Sequence, residues 1–456
     1  MKKPGTPGLL GKSLQATVDR LRTKHRVCGI SLAILNDGHI HAVASGWANA
    51  SERIEATPDT LFQIGSIGKT FTATLAMQLV DDGALDLDAP VHRYLPDFTT
   101  ADPASAALTV RQLLTHTAGI DGDFFPPADA DGTSEDYVRQ MRALRQLHAP
   151  GATMSYCNAG FVVLTRIIEV LRRASWNELV ISRICEPLGL TRVIARPTDA
   201  LRFRMAVGHE PSVRGVWTPV ARPYLPLSMA GAGAVLSMTA SDLLRYAQAH
   251  MDGPQRKQSR RSILSRPGFR AMQTPQLALP PYSQNRYTHM GLGWFLDADL
   301  RQPKLMHDGA TAQQFASLHM LPKQKLAFAL LLNSPSPLLL REIRDAIFTE
   351  LGGVPPVPRQ ALPSPIAFDC ERYIGTYGGI AQRMIVSPAQ RGHLRMKIES
   401  ELFEATELTL RAVEPDVFAI VEKPQRNLDA RVVFVGERRG RTEYLRIGLR
   451  MTRRSD

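Results

Sequence analysis

A chain of 456 residues exceeds one minimal core and predicts two domains, one of them large. Its 44% hydrophobic and 21% charged residues exclude bulk disorder, and the longest aliphatic run, Leu326–Leu332, is far short of the ~20 residues a membrane span needs. The net charge of +12, from 55 basic and 43 acidic side chains, admits anionic partners, but the basic runs at 256–270 and 438–454 carry no reader motif, so no nucleic acid is expected.

Polar residues from Lys12 to Arg22 follow the first eleven positions where an apolar leader segment would lie, so no secretory signal is read. Cys28, Cys157, Cys185 and Cys370 are scattered, without metal-ligand spacing or the density of a disulfide scaffold. Reduced thiols in a cytoplasm, with no metal and no cofactor, are the expectation.

In chain order, the stretches 28–35 and 39–45 flank Asn36-Asp37-Gly38 and predict a β-hairpin on an Asp-Gly turn. Ser66 then opens a helix with Phe71, Leu75, Leu79 and Val80 near one face, stopped by Gly83. A short helix over 108–114, a Pro-rich acidic insertion over 126–151 and a helix from Phe161 to Arg173, continuing after a break to Ile184, come next. Strands follow at 291–296, 314–320 and 326–332, then a helix over 338–351. Strands at both ends with helices between them predict an α/β fold: one antiparallel sheet closed by its first and last elements, flanked by helices, with a mainly helical insert.

Residues 353–366 are a Pro-rich linker, and from about 367 the alternation of Leu394, Met396 and Ile398 with charged residues marks a small β-domain. The expected boundaries are therefore 1–352, 353–366 and 367–456. Near the end, Leu445, Ile447, Leu449 and Met451 alternate with Arg446 and Arg450, which reads as a half-buried strand with a solvated basic face.

Three short elements carry chemistry. Ser66-Ile67-Gly68-Lys69 places a hydroxyl and an amine just under one helical turn apart, at a helix start whose free N–H groups favour developing negative charge. By spacing alone such a match arises about once by chance in a chain this long, and a capping serine with a solvated lysine gives the same pattern. Tyr156-Cys157-Asn158 follows the turn at Pro150-Gly151 and precedes the helix at Phe161. His307-Asp308-Gly309 leads toward the strand at Gln314. A period-2 strand there turns Asp308 away from whatever His307 faces.

Together these elements, with Leu113-Leu114-Thr115-His116-Thr117-Ala118-Gly119, Ala230-Gly231-Ala232-Gly233 before Ser241-Asp242-Leu243, and Gly291-Leu292-Gly293-Trp294, resemble the serine β-lactamase and penicillin-binding protein superfamily over about 15–350. The likeness is to its class C-like branch of D-aminopeptidases, D-alanyl-D-alanine carboxypeptidases and esterases. It implies Ser66 as the acylated nucleophile, Lys69 as its activating amine, and Tyr156 as partner base and proton donor to the leaving group. Asn158 would orient Lys69 and the substrate amide, the N–H groups of Ser66 and Ala310 would bind the oxyanion, and His307 and Gly309 would form the third motif. His116 and Cys157 are expected to pack.

Physical chemistry adds conditions to these roles. A lysine near its ordinary pKa of about 10.4 is a poor base at neutral pH, so Lys69 must be buried or lie beside a cation. His307 stands where relatives that grip a carboxylate place a cation, which argues against efficient β-lactamase action. Tyr373-Ile374-Gly375-Thr376-Tyr377-Gly378 resembles the opening of the lipocalin-like β-barrel appended to several peptidase members, and such a barrel leaves room for a homo-oligomer.

The expected activity is hydrolysis of a small amide, peptide or ester through an acyl-Ser66 intermediate. β-Lactamase or D-alanyl-D-alanine carboxypeptidase action, and a non-catalytic binding or scaffold descendant, are the alternatives.

Overall fold

The chain's own two ends of a long segment meet at the centre of the protein. In the computed structural model, Gly29–Asn36 pairs antiparallel with Leu326–Leu332, in register from Ile30 opposite Leu332 to Asn36 opposite Leu326. The structure describes residues 13–126, 132–211, 216–254, 262–282, 287–297, 303–355, 363–380, 382–400, 405–421 and 431–455. Part of the expected insertion at 126–151, of the basic run at 256–270 and of the linker at 353–366 lies outside them.

From that central pair a nine-stranded antiparallel sheet extends both ways. One side adds His39–Asn49, across the two-residue turn Asp37-Gly38 whose φ values of 49° and 82° suit an Asp-Gly hairpin, and then Ile54–Glu55. On the other side lie Phe315–Leu321, Lys304–Ala310, Phe295–Asp297, His289–Met290 and Leu277–Ala278. Expectation and structure differ at 291–296, where Gly291 to Trp294 form a turn and the strand begins at Phe295. Gly293, with φ 82°, takes the left-handed backbone of that turn.

Why the run Leu326–Leu332 is apolar throughout follows from its burial on both faces. Leu326, Phe328, Leu330 and Leu332 meet the helices Leu14–Lys24 and Pro337–Glu350, while Ala327, Ala329 and Leu331 face the larger core. Small residues on that second face let the helix Ala240–Asp252 lie close through Leu243, Leu244 and Ala247.

The serine-bearing helix, Gly68–Asp81, is buried nearly all round rather than along one stripe: only Gln78, Val80 and Asp81 of its residues escape full burial. Its buried threonines are satisfied, since Thr70 donates to the Ile67 carbonyl (2.8 Å), Thr72 to that of Gly231 (2.6 Å) and Thr74 to that of Thr70 (2.8 Å). An element so enclosed is a rigid platform for whatever sits at its first turn.

C-terminal to these layers, eight antiparallel strands from Gly375–Gly378 to Arg450–Arg454 close into a barrel, with Tyr377 paired to Arg454. Side chains fill its interior: the rings of Tyr373, Phe418 and Phe434 lie 4.8 to 5.3 Å apart. Among the described residues no helix is long and apolar enough to cross a membrane.

Candidate active site

Ser66 sits in a tight 3-10 turn, Gly65–Ile67, that runs straight into the helix beginning at Gly68. This geometry leaves the half-buried serine at the helix's positive end and turns Lys69 back toward it. Lys69 is fully buried, and its Nζ donates to Ser66 Oγ at 3.0 Å and to the Ala232 carbonyl at 2.5 Å. Burial, reinforced by the Arg450 cation, lowers the lysine from 10.5 to about 7, against the opposing pull of Asp123 and Cys157. A lysine in that state is an available base at neutral pH.

The Tyr156 phenol lies close enough to the same hydroxyl for Ser66 to bear on its acidity. Burial raises its phenol above the ordinary range, so the ring enters the site as a proton donor rather than a phenolate. The face of that ring is 5.1 Å from Lys69 Nζ, and His116 stacks against it with centroids 4.2 Å apart. His116 Nδ1 accepts the Cys157 N–H at 3.0 Å, which puts the ring proton on Nε2, and the His116 carbonyl accepts from the Ser155 N–H at 2.9 Å. The loop carrying Tyr156 is thus gripped on both sides of the tyrosine.

Strand Lys304–Ala310 brings the third motif edge-on to the serine turn. A Cβ on Gly309 would stand 2.0 Å from the Ile64 carbonyl oxygen and 2.9 Å from Ser66 N, so only glycine permits the approach that sets Ala310 beside Ser66. His307 is buried, and its Nδ1 donates to the Asp308 carbonyl at 2.6 Å. Burial and the nearby Lys69 hold it near 3, so it is neutral at any pH where the lysine works. Asp308 turns the other way, accepting from Ser317 Oγ at 2.5 Å and lying 3.8 Å from His319. Strand alternation therefore keeps this carboxylate out of the cleft.

Asn158 opens the helix Asn158–Arg172, but its amide points at Asp123, donating to Oδ1 at 3.0 Å. The acceptor that holds Lys69 is the Ala232 carbonyl instead. Asp123 in turn binds Arg450 through both oxygens, at 2.5 and 3.1 Å, and the Arg450 guanidinium lies 5.0 Å from the centre of the Tyr156 ring. Arg450 comes from the last strand of the barrel.

Its neighbours dock the barrel onto the tyrosine loop. The Leu449 carbonyl accepts from Tyr156 N (2.8 Å), Met451 N donates to Ser155 Oγ (3.1 Å), and Arg446 donates to the Met154 carbonyl (2.8 Å). Reading 445–451 as one strand with a solvated basic face is thus corrected. Gly448 and Leu449 turn a hairpin between Arg441–Ile447 and Arg450–Arg454, and Arg446 is only 4% exposed.

Sequence reasoning missed Asp123, Ala232 and Arg450. The acidic pair in Asp121-Gly122-Asp123, just beyond the Leu-Thr-His-Thr-Ala-Gly segment, was the available signal for the first; Ala232 stood in the Ala230-Gly231-Ala232-Gly233 element with no role attached, and nothing local marks Arg450. Among the described residues no cluster of potential metal ligands occurs, and all four cysteines are unpaired.

A serine at a helix start, a buried lysine one turn on and the strand Lys304–Ala310 packed beside them thus lie together on a mixed α/β fold. The family described as Beta-lactamase matches residues 14–348, and the chain belongs to it. It is 35% identical to penicillin-binding protein 4 of Amycolatopsis lactamdurans over 78% of this chain and 97% of that one. It is 26% identical to a D-aminopeptidase of Gluconobacter oxydans over 90% of this chain and 74% of the relative. Its fold superposes on the crystal structure of SurE with D-Leu at TM-score 0.76 and 27% identity, covering 96% and 98% of the two chains.

Proposed function

We propose that the protein is a serine hydrolase that cleaves a small amide, peptide or ester bond through an acyl-Ser66 intermediate. The observation that carries this reading is the contact of a fully buried, proton-poor Lys69 with Ser66 Oγ at 3.0 Å.

Ser66 Oγ attacks the substrate carbonyl carbon while its proton passes to the Lys69 amine. The oxyanion collects at the N–H groups of Ser66 and Ala310. As the tetrahedral species collapses, the Tyr156 phenol protonates the departing amine or alkoxide, and the Lys69 ammonium returns a proton to the phenolate. Water then attacks the ester by the same route in reverse, its proton going to Lys69, and the acid product leaves with Ser66 reprotonated. Asn158, fixed by Asp123, offers its carbonyl side to the substrate amide.

Kinship with a D-aminopeptidase and with a protein crystallised with D-Leu favours substrates with a D-configured residue at the cut bond. A neutral His307 offers no cation for a β-lactam carboxylate, so peptidase or esterase action is favoured over β-lactamase action.

The test is a panel of p-nitrophenyl esters, D- and L-aminoacyl p-nitroanilides and a chromogenic cephalosporin, run on wild type and Ser66→Ala. Turnover of an ester or D-aminoacyl amide, an adduct on Ser66 by mass spectrometry and loss of both in the variant are expected. An adduct on another residue, or full turnover by Ser66→Ala, sinks the proposal.

A further inference from the structure

We propose that the hairpin closing the C-terminal barrel is a working part of the active site, with Arg450 acting as the positioning residue that keeps Lys69 in its base form. This rests on the acyl-serine reading above and extends it to a residue outside the family-matched segment, which ends at 348.

Three independent contacts converge on the point. Arg450 is clamped bidentate by Asp123, so its guanidinium is fixed in direction as well as place. Its flanking backbone is tied to the tyrosine loop through Leu449 O to Tyr156 N and Met451 N to Ser155 Oγ, so the hairpin tip and the loop form one unit. Finally, Arg450 and Lys69 both lie against the Tyr156 ring, 5.0 and 5.1 Å from its centroid. The two cations are therefore at most about 10 Å apart, a separation at which like charges in a protein interior disfavour each other by roughly tenfold.

The surroundings leave this as the adjustable term. Facing Lys69 are His116 and Asp123 from the segment after the short helix Val110–Leu114, Tyr156 and Cys157 from the tyrosine loop, His307 from strand Lys304–Ala310, and Arg450 from the barrel. Both histidines are buried and neutral, and burial pushes the Cys157 thiol up to about 12 and the Tyr156 phenol higher still. Between about pH 6 and pH 10 only Lys69 changes charge among the groups lining the serine. An arginine keeps its charge throughout, so it can bias that equilibrium without titrating itself.

Removing the cation removes its repulsion on the Lys69 ammonium and leaves the existing attraction of the Asp123 carboxylate unopposed. The acid limb of the rate must then move toward alkaline pH. A residue that merely braces the hairpin would lower the rate by the same factor at every pH.

The experiment measures kcat/KM for p-nitrophenyl acetate from about pH 6 to about pH 10 in wild type, Arg450→Met, Arg450→Gln and Arg450→Lys, with the Ser66 adduct followed by mass spectrometry. Wild type should show a limb near pH 7. In the Met and Gln variants the limb should move up by about one pH unit or more, giving roughly tenfold less activity at pH 7 that is recovered near pH 10, and the Lys variant should stay near wild type. Two neutral variants of different shape guard against loss of folding in one. Limbs that coincide in all four proteins overturn the Arg450 assignment while leaving the acyl-serine reading intact. Absence of any Ser66 adduct in wild type overturns both.

Discussion

Replacing Lys69 by methionine should abolish acylation yet make the protein more stable at neutral pH. Lys69 is fully buried and shifts from 10.5 to about 7 on folding. Between these two values the unfolded chain binds a proton that the native state does not, so wild-type stability rises with pH by about 1.4 kcal/mol per unit and levels off outside the window. Seen from the alkaline side, the burial penalty accumulates as pH falls below 10.5 and reaches about 4 kcal/mol at pH 7.

Methionine fills a similar volume without that penalty, but it leaves the Ala232 carbonyl without its 2.5 Å donor. An unsatisfied buried carbonyl costs about 1–3 kcal/mol, so the net gain expected at pH 7 is roughly 1–3 kcal/mol. Urea unfolding of both proteins at several pH values between about 7 and 10 measures the gap, and every other titrating group cancels in the difference. The gap should fall by about 2.5 kcal/mol between about pH 7.5 and pH 9.5, changing sign within that range or near its upper end. A gap that stays flat across this range would refute the claim that Lys69 folds as a neutral amine.

Gly309→Ala places a methyl 2.0 Å from the Ile64 carbonyl, and the strand must retreat from Ser66 to admit it. A shift of that size should lower kcat/KM for an ester by about a hundredfold while circular dichroism stays native. His116→Phe keeps a ring against Tyr156 but removes the acceptor of the Cys157 N–H. Urea titration should show a loss of about 1–3 kcal/mol, and kcat should fall more than KM rises, because the proposed role of the tyrosine is on the reacting atoms rather than on binding alone.

Much of this was legible beforehand where local rules and tertiary demands agree. The hairpin at Asp37-Gly38, the strand Leu326–Leu332 and the helix Pro337–Glu350 follow from turn chemistry and hydrophobic period, and lie where those signals put them. The serine helix was read as well, from Phe71, Leu75, Leu79 and Val80 to the stop at Gly83, but the burial of its polar threonines on nearly all sides was not visible in that stripe. At the site, Ser66, Lys69, Tyr156 and His307 were singled out by the family resemblance of their motifs in chain order, since the spacing of each is common by chance.

What stayed hidden was partnership. The Ala232 group that holds Lys69 is a backbone carbonyl, which every residue possesses, and no composition rule distinguishes it. Arg450 misled because alternation says which residues share a face, not what that face meets; here it meets the tyrosine loop rather than water. Asn158 was expected to orient the lysine and the substrate amide, yet its side-chain N–H donates to Asp123 and the lysine donates to the Ala232 carbonyl.

The pairing of Ile30 with Leu332 also governs when the central sheet can form during the chain's own synthesis. The turn bearing Ser66 leaves the ribosome early, but the strand that must lie against it comes some 240 residues later. At 5–20 residues per second that interval is on the order of ten seconds or more. Joining such distant segments is slow in itself, since chain entropy must be overcome before any contact forms. On the proposed acyl-serine reading, a ribosome-bound fragment therefore displays Ser66 without the strand that carries Ala310, and acylation must wait until the sheet closes.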